Sequence, residues 1–336
     1  MPTTQTAASD RLLDNEYEDL LGLWSDLESA LSVLLARPLQ VQDFTAKVRQ
    51  CDRWLQDLVA HDIDAALYLM FQLAATSSVG YSTSHALVCG TLCHILAHEL
   101  ELPPHERDSL VRAAFTMNIG MTALQDELAH QRDRPTPIQQ QAIESHPRLG
   151  VDMLEQLEVR DDLWLDVVGQ HHTLPTERVS EPAPLRHLGA EERLSRVLAT
   201  IDRYAAMISP RKSRVGRSAT DSVRAIVGQD VEQGDEVSFA LVRTVGLCPP
   251  GTFVRLDNGE TAIVLRRGEK PNFPLVASLL DRDGGQRAQP GLYQTAAGKP
   301  RIQSALARSA VPVELNHRTM VRLGLYAARR SHSPLA

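Results

Sequence analysis

Five residues with metal-binding side chains stand far apart in this chain, and bringing them together is the strongest demand the sequence makes on a fold. His85, His146, the doublet His171-His172 and Asp202 follow one another at intervals of 61, 25 and 30 residues. Each falls on or beside a stretch whose apolar residues recur at three- and four-residue steps, the signature of an amphipathic helix. Ligands separated in this way converge only where several helices pack side by side, so the spacing predicts a mainly helical bundle around a buried polar site.

The helical pattern begins well before the first histidine. Leu12, Leu13, Tyr17, Leu20, Leu21 and Trp24, then Leu27, Leu31, Leu34 and Leu35, keep one face apolar until Pro38 interrupts. Two further runs, about Val41 to Leu58 and Ile63 to Ala74, complete a helical N-terminal region, 1–75. The helix from about Tyr81 places Val88, Leu92 and Leu96 near the face of His85, which should therefore point inward. His94 and His98 fall about 180° and about 220° around the same wheel and are expected to face outward. As an i, i+4 pair they could capture zinc, but no third ligand is evident. Thr136 to Ile143 reads as a capped helix leading to His146, followed by separate helices at about Gly150 to Leu157, Asp162 to Gly169 and Glu191 to Ile208.

After residue 228 the pattern changes. Thr252 to Leu256 and Thr261 to Leu265 alternate around Asp257-Asn258-Gly259-Glu260, a strong hairpin signal, and Leu275 to Leu280 reads as a third strand. The division expected is a helical core at 76–228, a small β module at 229–290, and an unassigned tail at 291–336.

A net charge of −7 argues against a general nucleic-acid or membrane-surface binder. Cys51, Cys89, Cys93 and Cys248 form no Cys-x-x-Cys pair; Cys89 and Cys93 share a helical face and suit buried thiols in a reducing cytoplasm. No apolar run approaches membrane-spanning length, and the first residues carry no secretory pattern, so a cytoplasmic, unexported protein is expected.

Between His85 and His146 lies Phe115-Thr116-Met117-Asn118-Ile119-Gly120-Met121, and the later landmarks read Ser145-His146-Pro147, Gln170-His171-His172 and Ile201-Asp202-Arg203-Tyr204. In this order, over about residues 80 to 220, the chain resembles the HD-GYP family, helical metal-dependent phosphodiesterases that cleave cyclic di-GMP. The family reads His-Asp-x-Gly-Lys where this chain reads Met-Asn-Ile-Gly-Met. It also carries a glycine-rich stretch ending Gly-Tyr-Pro where Thr173-Leu174-Pro175-Thr176-Glu177-Arg178 stands here.

The resemblance implies that His146, His171 and His172 match the ligands of one metal and that His85 and Asp202 match ligands of the other. Met117 and Asn118 replace the paired ligands, the second of which bridges the metals, and Met121 replaces a lysine near the scissile phosphate. Arg211 and Arg214 match arginines that contact ligand phosphate, a role that guanidinium geometry suits. Two-metal hydrolysis needs a bridging oxygen ligand and enough negative charge to hold two cations together. An amide offers no charge, and a thioether is a poor ligand for iron(II), manganese or magnesium.

The expected cofactor is one divalent transition metal, iron, manganese or zinc, or none, in which case the residues persist as a polar cluster with His85 and Asp202 as its charged pair. In such a cluster Asp202 would favour protonation of the neighbouring histidines. Three functions follow: a cyclic-di-GMP-responsive effector or scaffold with weak or no phosphodiesterase activity, an active phosphohydrolase on a reduced histidine-rich site, or a pure interaction module. The partners expected are a cyclic dinucleotide, proteins bound through 11–75 or the β module, and a second copy of the chain; nucleic acid and membrane are not.

Overall fold

The computed structural model describes residues 4–76, 79–172, 183–209, 219–229, 236–296, 299–307, 310–311 and 313–332. Its order is α1 (Thr4–Ala36), α2 (Phe44–His61), α3 (Ile63–Thr76), α4 (Tyr81–Glu99), α5 (Pro104–Thr116), α6 (Thr122–His130), α7 (Pro137–Gln156), α8 (Asp162–Gln170), α9 (Ala190–Ile208), α10 (Ala219–Gln229) and α11 (Glu236–Val245). Then come β1 (Phe253–Leu256), β2 (Thr261–Arg266), β3 (Leu275–Leu280), β4 (Gln286–Gln294), β5 (Ile302–Leu306) and α12 (His317–His332). The mainly helical class and the small antiparallel sheet agree with the sequence reading.

The axis of the bundle is α4. It packs against α5 and α9, with α1, α3, α6 and α11 around it, and every residue from Ser82 to Ala97 is buried. A helix surrounded on all sides has no outward face, which overturns the wheel-based expectation for one residue. His94, expected at the surface, is 8% exposed, whereas His98 one turn later is exposed.

Side-chain bonds tie the surrounding helices to this axis and to α5. Asp126 of α6 accepts the Ser82 backbone N–H at 2.7 Å and so caps the start of α4. Asp161 caps α8 through the Trp164 N–H, and the same carboxylate accepts the Ser109 hydroxyl of α5 at 2.9 Å. The Trp164 indole N–H, fully buried, donates to Thr116 Oγ1 at 2.8 Å, directly before Met117. Arg193 of α9 makes a two-pronged bond to Glu106 of α5, 3.0 and 2.7 Å, and Gln170 at the end of α8 donates to Glu191 at the start of α9.

One helix replaces the two read from sequence around His146. Pro147 lies inside α7, which runs unbroken from Pro137 to Gln156, because its start is strongly set and its later turns are packed. The Thr136 side chain accepts the Gln139 N–H while Gln139 returns a bond to the Thr136 N–H, a complete capping box with proline in the first turn. Beyond Pro147, Gly150 packs against Val168 of α8, leaving no room for a break.

The sheet order is β4-β3-β2-β1-β5, antiparallel throughout. The expected hairpin forms with Gly259 at φ 86°, and the expected third strand is β3. The strands extend past residue 290 through β4 and β5, into the stretch that carried no assignment, and α11 is helical where the β module was expected to have begun. The module is fastened to the first helices. Arg266 reaches Asp62 at 2.7 Å and Asp64 at 3.2 Å, and Arg267 reaches Asp64 at 2.6 Å. Both aspartates are nearly buried, so the pairs are shielded from solvent screening.

Candidate metal centre

Two sets of donor atoms come together from four helices. His146 from α7 and His171-His172 at the end of α8 form the first, with one ligand atom of each residue within 4.8 Å of those of the others. His85 and Cys89 from α4 and Asp202 from α9 form the second on the same criterion. All five separated residues of the sequence reading are present; Cys89 is the one that reading missed.

The protonation of the first set follows from backbone chemistry. Pro147 has no N–H, so the Ile143 carbonyl four residues earlier loses its helical donor. The His146 ring takes that place, with Nδ1 2.5 Å from the Ile143 oxygen. At the end of α8 the last carbonyls also lack intrahelical donors, and His171 Nδ1 lies 2.7 Å from the Val168 oxygen. A carbonyl only accepts, so both Nδ1 atoms carry the hydrogen and both Nε2 atoms are left with lone pairs. Those two Nε2 atoms face each other at 3.1 Å.

Burial pushes the pKa of both imidazoles down, His171 to about 3, so neither ring is held protonated at neutral pH. The Asp202 carboxylate acts in the opposite direction and loses. Asp202 does favour protonation of His146 and His171, as expected, but desolvation outweighs that one nearby charge. Two opposed lone pairs cannot bond to each other. A cation is what they fit, since two nitrogens each about 2.0–2.1 Å from a shared zinc-like ion lie roughly 3 Å apart. His172 is exposed, and its ring lies tilted by 41° against that of His171, with the centres 4.1 Å apart.

The second set is arranged differently. His85 Nε2 lies 2.8 Å from Asp202 Oδ1, the charged pair expected from sequence, and 3.6 Å from Cys89 Sγ. Tyr81 stacks on the His85 ring, centres 5.7 Å apart and planes 13° apart. Burial alone would raise the pKa of Asp202, but the bond and charge of His85, with His171 and His172 beyond it, bring it down to about 2. The carboxylate is therefore ionised and senses both sets.

The segment that departs from the family motif packs between α5 and α7. Met117 is 1% exposed, and Asn118 borders a small closed space with Ser82, Ala86, Phe115, Thr122 and Gln125. Gly120 has a physical reason to be glycine. A Cβ there would lie 2.7 Å from the His146 carbonyl oxygen and 2.9 Å from the Gly150 nitrogen, both backbone atoms that cannot step aside. The turn Ile119–Met121 thereby seats α7 at the height that aims His146. Met121 is half-buried and brings no charge to the site.

Arg211 and Arg214, with most of the loop that contains Glu177, lie outside the described residues. His94 and His98 stack edge to face at 4.8 Å, but Arg107 lies 2.9 Å from His98 Nδ1, and the described residues offer no third donor there. The zinc reading of that pair has no support. A groove of about 640 Å³ between the start of α2 and the end of α7 is lined by none of the donor residues. No described helix is long and apolar enough to cross a membrane.

No protein-family model matches the chain. It is similar to cyclic di-GMP phosphodiesterase PA4108 from Pseudomonas aeruginosa, 30% identical over 193 residues, 56% of this chain and 45% of that protein. The chain thus spans rather less than half the length of the curated relative it matches. Among solved structures it is similar to Bd1817, an HDG"Y"P protein from Bdellovibrio bacteriovorus, at 13% identity and a TM-score of 0.49, over 68% of this chain and 71% of that one.

Proposed function

Because the chain carries an HD-GYP-like domain, we propose that it works as a metal-bearing effector responsive to cyclic di-GMP, with weak or no phosphodiesterase activity. The observation that carries this reading is the contrast within one site. The His146 and His171 Nε2 lone pairs converge at 3.1 Å, whereas on the resemblance the uncharged Asn118 stands where the family has its bridging carboxylate. One divalent transition metal, iron, manganese or zinc, would be held by His146, His171 and His172.

A bound cation would supply a Lewis acid to a phosphate oxygen. The protein's own part is to hold that cation with neutral imidazoles whose tautomers are set by the Ile143 and Val168 carbonyls. Met121 brings no positive charge to the negative charge developing in the transition state, and Asn118 brings no negative charge to offset the repulsion of two cations. The name of the Pseudomonas relative supports cyclic di-GMP as the ligand class. Arg211 and Arg214 are assigned to its phosphates on the resemblance, and the helices of 11–75 with the β module are assigned to protein partners or a second copy.

A second reading, residual hydrolysis, is favoured by one observation: His85, Cys89 and Asp202 still form a donor set beside the first. Metal content, cyclic di-GMP binding and its hydrolysis, measured on chain purified without chelator, separate the two. The expected result is bound metal, one equivalent of it lost in His171→Ala, with nucleotide binding and little turnover. Rapid turnover abolished by His171→Ala would establish the second reading instead, and chain that takes up no metal would sink both.

A further inference from the structure

The second donor set contains an atom that the family resemblance does not assign, the sulfur of Cys89. All four cysteines are buried, and a buried thiol is usually a small apolar filler. Cys89 differs from the others in its company. Among the described residues it alone of the four joins a group of potential ligands; Cys93, one turn further on and equally buried, does not.

We propose that Cys89 is a thiolate ligand of a cation shared with His85 and Asp202, making the second position a nitrogen, sulfur and oxygen site suited to zinc. This rests on the two-set reading of the centre and adds a ligand and a metal preference to it. The spacing fits. A metal–sulfur bond of about 2.3 Å and a metal–nitrogen bond of about 2.0 Å at a tetrahedral angle place the two atoms roughly 3.5 Å apart. Sγ and Nε2 lie 3.6 Å apart, one helical turn along α4, with no change of backbone required.

Charge supports the same assignment. Replacing a bridging aspartate by Asn118 removes one negative charge, and a cysteine thiolate returns one. With Asp202, two negative charges then face a divalent ion in a buried place where an uncompensated charge is costly. On binding, the Cys89 thiol proton passes to solvent and the hydrogen on His85 Nε2 is exchanged for one on Nδ1, so that the nitrogen, sulfur and Asp202 oxygen lone pairs go to the metal, with no oxidant or reductant involved. Soft sulfur ligands favour zinc over manganese or magnesium, so the substitution would move the site away from hard cations.

Cobalt(II) loading of the full chain tests the assignment, because cobalt bound to thiolate shows an intense near-ultraviolet charge-transfer band that imidazole and carboxylate ligands do not give. The parent and Cys93→Ser chains should show the band, and Cys89→Ser should lose it together with about one of about two cobalt ions per chain, the number a two-site centre holds. His171→Ala should keep the band while losing the other ion. Zinc-loaded parent chain gives a substitution-free readout, a sulfur neighbour at about 2.3 Å in its X-ray absorption fine structure. Cobalt bound without the band, a band that survives Cys89→Ser, or zinc with no sulfur neighbour would each overturn the proposal while leaving the histidine site standing. A parent chain that binds no cobalt would overturn both.

Discussion

The histidine set and the mixed set lie side by side, yet they keep their protons differently. In the first, two imidazoles donate through Nδ1 to the Ile143 and Val168 carbonyls, and their free lone pairs meet at 3.1 Å. In the second, His85 Nε2 is already bonded to Asp202 at 2.8 Å, while its buried Nδ1 has no hydrogen-bond partner among the described residues. The first set is preorganised for a cation, and the second must give up an internal bond and the Cys89 thiol proton to accept one. The difference teaches that two donor sets in one bundle can be prepared unequally for a cation. An amide at Asn118 leaves the imidazole orientation untouched, since that orientation is set by backbone carbonyls and a proline.

The comparison can be broken most strongly through α9, which carries Asp202. Arg193 and Glu106 are 15% and 5% exposed, so removing the arginine leaves a buried carboxylate without its partner. Arg193→Ala should lower stability by about 3–5 kcal/mol in denaturant unfolding. An unchanged midpoint would mean that α9, and with it the mixed set, is held by packing alone.

Gly120→Ala strikes the other set. A methyl group 2.7 Å from the His146 carbonyl oxygen forces α7 away, which should cost about 1–3 kcal/mol and weaken metal retention through His146. Full stability with unaltered metal content would show that the turn does not seat the histidine.

Asn118→Asp sharpens the comparison by returning the shared charge. Metal affinity, read by chelator competition, should tighten by about tenfold or more, the scale on which carboxylates near metal ligands act. Loss of affinity would place residue 118 outside the reach of the metal.

The smallest effect near neutral pH is in titration of the metal-free protein. His171 falls from 6.5 to about 3 on folding, so the unfolded chain binds the proton first and the stability it contributes, full above pH 6.5, drains as pH falls toward 3. Asp202 falls from 3.8 to about 2, so its contribution is intact above pH 3.8 and disappears as pH drops through 2. Acid unfolding followed by circular dichroism should therefore lose its upper slope in His171→Ala and its lower slope in Asp202→Asn. Profiles that overlay the parent would remove the electrostatic distinction between the sets.

Much of this molecule was legible in the order of its residues. Helical periodicity identified α1 to α4, α8 and α9, and Asn258-Gly259 identified the β1–β2 hairpin, because these signals are local and depend on a few neighbours. The five separated ligands could be named for the same reason: their chemistry is in their side chains. His94 and α7 were misread. A helical wheel assumes that one face meets water, which α4 does not have, and Pro147 reads as a stop only if nothing else satisfies Ile143.

The sequence by itself determined which side chains offer metal-binding atoms. Tertiary structure alone decided the rest: which histidine nitrogen is free, how closely the lone pairs meet, and that Cys89 stands beside His85 and Asp202. The reason is one of range. Residue type sets the atoms a position can offer, but tautomer, desolvation and donor grouping arise from carbonyls and helices distant in the chain, and no period in the sequence encodes them.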